Sequence, residues 1–250
     1  MIDVALLSEL CRIPAAPGFE QRLRAVIMEM IAPLVDDVYT DAMGNVYAVK
    51  KGTKQGEDAK KVMIGAHMDE IGFIVTHIEE GGFIRFHTLG GFDPKTLTAQ
   101  RVIVHGKEDV IGCMGCKPIH LLTAAERGKP LEIKDYFIDT GMSQAEVEAL
   151  VSVGDSITRE RELIEMGNCV NSKSLDNRLA VYMLFETLRE LKDKPVPYDV
   201  YGVFTVQEEV GIRGASVAAQ QVNPDFGFGI DVTIAFDVPG SQAHERITSL

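Results

Sequence analysis

The sequence predicts an α/β protein, a central sheet flanked by helices and interrupted by a small β-rich segment. Two observations call for the sheet and a third for the interruption. Val62–Ala66, Val200–Val206 and Phe226–Ile230 are short apolar runs, the pattern of strands buried on both faces of a parallel sheet. Leu179, Val181, Met183, Leu184, Leu188 and Leu191 recur at helical spacing ahead of the second run. Between about Gly72 and Ile164, short strand-like pieces separated by glycines replace that alternation.

Along the chain, residues 3–13 predict a first helix, stopped by Pro14 and Pro17, and about Glu20 to Ile31 a second, with Leu23, Val26, Ile27, Met30 and Ile31 on one side. Val35–Tyr39 and Asn45–Lys50 read as a strand pair around Asp41-Ala42-Met43-Gly44. Lys51–Lys61 is a polar loop leading to the strand that ends at His67. Phe73–Ile78, Phe83–His87, Arg101–His105 and Val110–Cys113 are the short β pieces, with Gly81-Gly82 as a hairpin turn and Gly90-Gly91 as a second turn. Ser143 followed by Glu146 is a capping box for a small helix to Leu150. The α/β rhythm resumes at Asn168. Residues 1–71 and 165–250 therefore form one discontinuous unit, and 72–164 a β-rich insertion.

Composition sets bounds. The 250 residues suffice for one large domain or two modest ones, and 46% hydrophobic with 25% charged residues is an ordinary globular balance. No apolar run reaches membrane-spanning length, and the amphipathic, acidic N-terminus lacks the basic start of a signal peptide. A formal net charge of -12 argues against nucleic acid or an anionic membrane as partner. Cys113-Met114-Gly115-Cys116 has metal and redox spacing, but no second such pair completes a zinc site, and His120 alone does not. Gly115 and Pro118 would break a redox helix. Free thiols in a reducing cytoplasm are the expectation.

The chemistry lies at the strand ends. The first apolar run leads into His67-Met68-Asp69, the second into Gln207-Glu208-Glu209 and the third into Asp231. Ligands of open α/β sheets bind outside the carboxyl ends of strands, so one crevice receives a histidine and several carboxylates. That is an inventory for metal-assisted hydrolysis. Asp176 sits where a helix begins; alone it would be a cap, but beside the strand ends it can bridge cations. His67 and Asp69 share a face on a regular strand; Asp69 either backs His67 across a bend or faces the crevice with it. Glu208 and Glu209, being adjacent, point to opposite faces of a regular strand, against a glycosidase pair flanking one bond across about 5 to 9 Å. An isolated Glu-Glu is ordinarily a solvated pair. At a strand end it suits a division of labour, one carboxylate on metal and one on water.

Ala66-His67-Met68-Asp69-Glu70-Ile71-Gly72, Gly112 through His120, Ser174-Leu175-Asp176-Asn177-Arg178, Val206-Gln207-Glu208-Glu209-Val210-Gly211 and Gly229-Ile230-Asp231-Val232 together resemble, in order, the M42 family of metallo-aminopeptidases. The resemblance implies a mixed, zinc-exopeptidase-like sheet and two divalent metal ions per subunit, zinc or cobalt. His67, Asp176 and Asp231 would hold the first. Asp176 would bridge to the second, which Glu209 also holds. Glu208 would be the general base, and Asp69 would orient His67. The insertion would resemble the family's dimerisation domain, with dodecamers formed by many members. The family's last ligand to the second metal is a histidine farther downstream. The chain stops in Arg246-Ile247-Thr248-Ser249-Leu250, and His244, the only histidine after Asp231, lies in a Pro-Gly-containing loop that does not match it. A C-terminally incomplete family member is expected.

The expected activity is removal of N-terminal residues from short peptides in the cytoplasm. A metal-dependent deacylase or deacetylase could use the same parts, and an interaction fragment could keep the insertion without turnover. The cellulase label attached to some relatives is the weakest option. Aromatic content is 7% and tryptophan is absent, which leaves no evident sugar-stacking platform.

Overall fold

A computed structural model describes residues 2–236, 238–245 and 248. Most of the expected ending, residues 246–250, therefore lies outside the described residues. The elements run α1 (Val4–Arg12), α2 (Gln21–Ile31), β1 (Asp37–Thr40), β2 (Val46–Lys50), β3 (Lys61–His67), β4 (Gly72–Ile78), β5 (Ile84–Leu89), β6 (Arg101–His105), β7 (Asp109–Cys116), α3 (Ala124–Arg127), β8 (Tyr136–Asp139), α4 (Gln144–Leu150) and β9 (Ser156–Arg159). They continue with β10 (Ile164–Met166), β11 (Cys169–Asn171), α5 (Leu175–Leu191), β12 (Asp199–Thr205), α6 (Arg213–Val222) and β13 (Phe226–Gly229). No described helix is long and apolar enough to cross a membrane.

Among the described residues, the central sheet has five strands in the order β1-β2-β12-β3-β13. β12, β3 and β13 run parallel, while β2 is antiparallel to β12 and β1 to β2, so the sheet is mixed. On one face α1, α2 and α5 bury Leu7, Leu10, Leu23, Ile27, Ile31, Val181, Leu184 and Leu188 against Val46, Ala66 and Phe204. On the other face, α6 packs Ala218 and Val222 on Tyr47, Met63 and Val203. Gly202 lets α5 approach, because a Cβ there would meet Leu188 at 3.0 Å.

The parallel strands set where the chemistry falls. Phe204 and Thr205 of β12 lie beside Ala66 and His67 of β3, and Gly229 of β13 beside Gly65. The segments after Thr205, His67 and Gly229 thus leave the sheet at one edge. One expectation fails here. Phe226–Ile230 was read as buried on both faces, yet β13 is the outermost strand, with Phe226 47% and Phe228 59% exposed. An apolar run reports a strand; the neighbours that cover it are not encoded in the run itself.

The segment between β3 and β10 closes into a barrel, β4-β5-β8-β7-β6-β9, around its own core of Phe73, Val75, Ile84, Val102, Val104, Met114, Tyr136, Ile138 and Ile157. Gly81 and Gly82 turn β4 into β5 with φ of 92° and 85°, a conformation that costs glycine little. Glu146 accepts hydrogen bonds from both the amide and the hydroxyl of Ser143, the expected box at the start of α4. β8, β9 and the β10–β11 hairpin carry too little alternation to be read from sequence. Cys113 and Cys116 lie on β7, and all four cysteines are free. A clamp ties barrel to helices. The Arg22 guanidinium donates to both oxygens of Asp109 at 2.8 and 2.9 Å and, with His105, holds that carboxyl down to about 2.

Candidate metal centre

Three carboxylates converge on one imidazole nitrogen. From His67 Nε2, Asp176 Oδ1 is 3.1 Å away, Glu208 Oε2 3.8 Å and Asp231 Oδ1 3.9 Å. Two overlapping sets, His67 with Asp176 and Asp231, and His67 with Glu208 and Glu209, place their ligand atoms within 4.8 Å of one another. His67 is buried, Glu208 and Glu209 partly buried, and Asp176 and Asp231 exposed to the crevice. The donors arrive from three strand ends and one helix start, Glu208 and Glu209 sharing the end of β12, so the sheet and α5 fix the arrangement.

His67 ends β3, and the chain bends after it. Its Nδ1 lies 3.0 Å from the Asp69 carbonyl, which can only accept, so Nδ1 carries the proton. Asp69 therefore sits behind the imidazole rather than in the crevice, with Oδ1 3.5 Å from the same nitrogen. Nε2 is left facing the carboxylates. Burial opposes a second proton there, yet hydrogen bonds to Asp176 and Asp69 hold the imidazolium up to about 10. A cation among the same oxygens would take the place of that proton.

Fully buried Asp69 has a second task that the sequence did not suggest. Its Oδ1 accepts from the Glu208 amide at 2.9 Å and its Oδ2 from the Glu209 amide at 3.0 Å. The two glutamates are not on a strand, as adjacency on β12 would have required. β12 ends at Thr205, and Gln207, at φ 54°, kinks the chain so that both carboxylates approach His67. The expectation of opposite faces is corrected by that kink. Burial, followed by the Asp176 charge, lifts the Glu209 carboxyl to about 7. Burial with Asp69, Asp231 and Asp176 raises Glu208 against the pull of His67. Asp69→Asn offers one oxygen for two amides and turns its NH2 onto the other. The variant is expected to bind zinc about 10–100-fold more weakly. Competition with a chromogenic chelator measures this, and an affinity within twofold of the unaltered chain would contradict the role.

Asp176 precedes the regular turns of α5. It and Asn177 have non-helical φ/ψ, their peptide is cis, and the Asp176 carboxylate faces His67 instead of capping the helix. Asp231 follows β13, where its Oδ1 accepts from the Val232 amide at 2.7 Å. His244 is exposed in a short turn and joins neither donor set; Cys113, Cys116 and His120 also stay outside both. All six residues singled out from the sequence, His67, Asp69, Asp176, Glu208, Glu209 and Asp231, come together here.

Beneath them lies a buried ionic layer that was missed. Glu70 Oε1 accepts from Lys173 Nζ at 2.6 Å and from Arg178 Nη2 at 3.4 Å. Fully buried Arg178 also donates to the carbonyls of Met68 at 2.8 Å and Ile13 at 2.9 Å, and to that of Leu10. Glu20 is buried too and accepts from the Gln207 amide at 3.1 Å, steadying the kink. A signal existed, because Arg178 falls on the same helical stripe as Val181 and Tyr182.

Comparison with known proteins places these residues in company. The family model described as M42 glutamyl aminopeptidase matches residues 44–249. A TET aminopeptidase from a marine sediment archaeon of the Thaumarchaeota superimposes with a TM-score of 0.92 at 38% identity, over 98% of this chain and 69% of that one. The Pyrococcus horikoshii TET1 peptidase, described as assembling into a tetrahedron or a large octahedral shell, gives 0.83 at 33% identity, over 94% and 70%. Lysyl aminopeptidase of Pyrococcus furiosus is 32% identical over 243 residues, 94% of this chain and 68% of that relative.

Proposed function

This chain belongs to the M42 glutamyl aminopeptidase family, and from that premise we propose that it removes N-terminal residues from short peptides with two divalent metal ions. The observation that carries the reading is the convergence of Asp176, Glu208 and Asp231 on His67 Nε2. The donors suit the group: one imidazole with its other nitrogen held by a carbonyl, plus carboxylate oxygens, is ligation that zinc, cobalt and manganese accept. His67, Asp176 and Asp231 would hold the first ion, and Asp176 with Glu209 the second. Bound there, the ions would supply an activated water and a polarised scissile carbonyl.

The protein's own part is positioning and proton transfer. Asp69 fixes the ring of His67 and the amides of Glu208 and Glu209 at once, so imidazole and carboxylates move as one piece. Glu208 takes the proton of the attacking water on a carboxylate oxygen and passes it to the departing amine. Its raised affinity for a proton, from burial and neighbouring acids, suits a group that must both accept and release one. The remaining acidic charge of the crevice attracts the ammonium of a peptide N-terminus.

We read residues 1–71 with 165–250 as the catalytic unit and 72–164 as the unit for self-association, as a homodimer and within a larger shell such as a dodecamer. Two separate cores, the closed barrel and the shells named for a similar structure support that division. Four free cysteines support a reducing cytoplasm as its location. Turnover of leucine or glutamate p-nitroanilide with added zinc or cobalt, set against N-acetylated amino acids, tests the activity. Release from the free-amine substrates is expected. Turnover of the acetylated compounds alone would make the site a deacylase. Self-association with no turnover of either would make the chain an interaction fragment.

A further inference from the structure

Asp176 and Asp231 stand on supports of unequal firmness. Asp176 lies two residues before Arg178, whose fully buried guanidinium is fixed by the carbonyls of Met68 and Ile13 and by Glu70. Asp231 lies just past β13, the outermost strand, which pairs only with β3 among the described residues. Ile230, between that strand and Asp231, keeps one tie to β3, its amide donating to the Gly65 carbonyl at 2.9 Å. The Ile230 carbonyl accepts from Asn177 Nδ2, also at 2.9 Å. Asn177 therefore joins the two supports. It follows Asp176 in the chain, and its side chain holds the residue that precedes Asp231.

Asn177 is completely buried, and its Oδ1 is shielded from solvent with no hydrogen-bond partner among the described residues. A buried amide with one half unused is a costly way to fill space, which leucine would fill at similar size without a polar group. The half that is used, the bond to Ile230, supplies the reason for asparagine at this position. We propose that Asn177 is a positioning residue that sets the spacing of Asp176 and Asp231 around His67, and with it the affinity for the first metal ion. Groups that orient ligands from behind commonly tune a metal site in this way. The inference rests on the proposed metal set and goes beyond it, since Asn177 acts through two ligands and would itself hold no ion.

Zinc affinity, read by competition with a chromogenic chelator, tests it in a double-mutant cycle of Asn177→Leu and Asp231→Ala. Asn177→Leu is expected to weaken zinc binding about tenfold in the unaltered background and by less than about twofold beside Asp231→Ala, where nothing is left to position. The thermal midpoint of the zinc-free chain is expected to change little, because Ile230 is only partly buried and water can answer its carbonyl. Should Asp231→Ala bind too weakly to measure, the visible absorption of cobalt in the Asn177→Leu chain decides: a band altered from that of the unaltered chain supports the role, and an unchanged one overturns it. Asn177→Ala replaces the leucine variant if circular dichroism finds the latter unfolded, and unfolding of both would make Asn177 a residue of the fold and overturn the proposal. Unchanged zinc affinity in the single variant, or an equal loss in both backgrounds, overturns the role of Asn177 alone. An unaltered chain that is folded yet binds no zinc overturns the metal set, and this inference with it.

Discussion

Arg178→Met is expected to lower the thermal midpoint by about 10 °C or more, the largest loss of stability from any single change at the site. Arg178 is fully buried, and its partners lie at the end of the first helix and just after His67. Its guanidinium serves the carbonyls of Leu10, Ile13 and Met68 and one oxygen of Glu70. Methionine fills much of the volume but leaves three buried carbonyls without this donor. Breaking a buried ion pair from one side costs about 3–5 kcal/mol, a large share of the roughly 5–15 kcal/mol that separates folded from unfolded domains. Glu70→Gln is expected to cost less, because the amide oxygen can still accept from Lys173 or Arg178. Denaturant and thermal unfolding of both variants provide the comparison. A methionine variant within about 2 °C of the unaltered chain would mean that these carbonyls find other partners.

Glu208→Gln is expected to reduce peptide turnover by at least about 10²–10⁴-fold, the usual weight of a general base. The substitution keeps size, and the Glu208 amide can still bond Asp69 Oδ1, so the loop keeps its course. What is lost is the group that carries a proton between water and leaving amine. Zinc affinity is expected to change little, because His67, Asp176 and Asp231 do not depend on that side chain. Loss of turnover with zinc retained separates this role from ligation. A variant within tenfold of the unaltered chain would remove Glu208 from the mechanism.

Much of this centre was legible in the sequence because strands of a parallel sheet deliver their ends to one edge. The residues after Ala66, Val206 and Ile230 could be assigned to one crevice before any contact was known. The helices were legible for a similar local reason. Asp3 accepts from the Leu6 amide at the start of α1, and apolar spacing marked the buried faces. What stayed hidden depends on contacts distant in the chain. Gln207 adopts positive φ in a loop held by Glu20, and no local pattern signals that kink. Closure of the barrel needs β8 and β9, each only four residues long, to pair across the insertion. Exposure of β13 is decided by what packs against it, which its alternating glycine and phenylalanine do not specify. Arg178 was visible as a charge on an apolar stripe, but its partners at Leu10, Ile13 and Met68 were not.

His67, Asp176 and Asp231 are proposed as one metal-binding set. Its most direct test is the zinc content of the folded chain after incubation and removal of excess metal, measured beside His67→Ala. At least one tightly held zinc per chain is expected, with a second held more weakly by Asp176 and Glu209, and loss of the tight ion in the alanine variant. A chain that is folded by circular dichroism yet holds no zinc, or a His67→Ala variant that holds it as tightly, would remove these three residues as metal ligands.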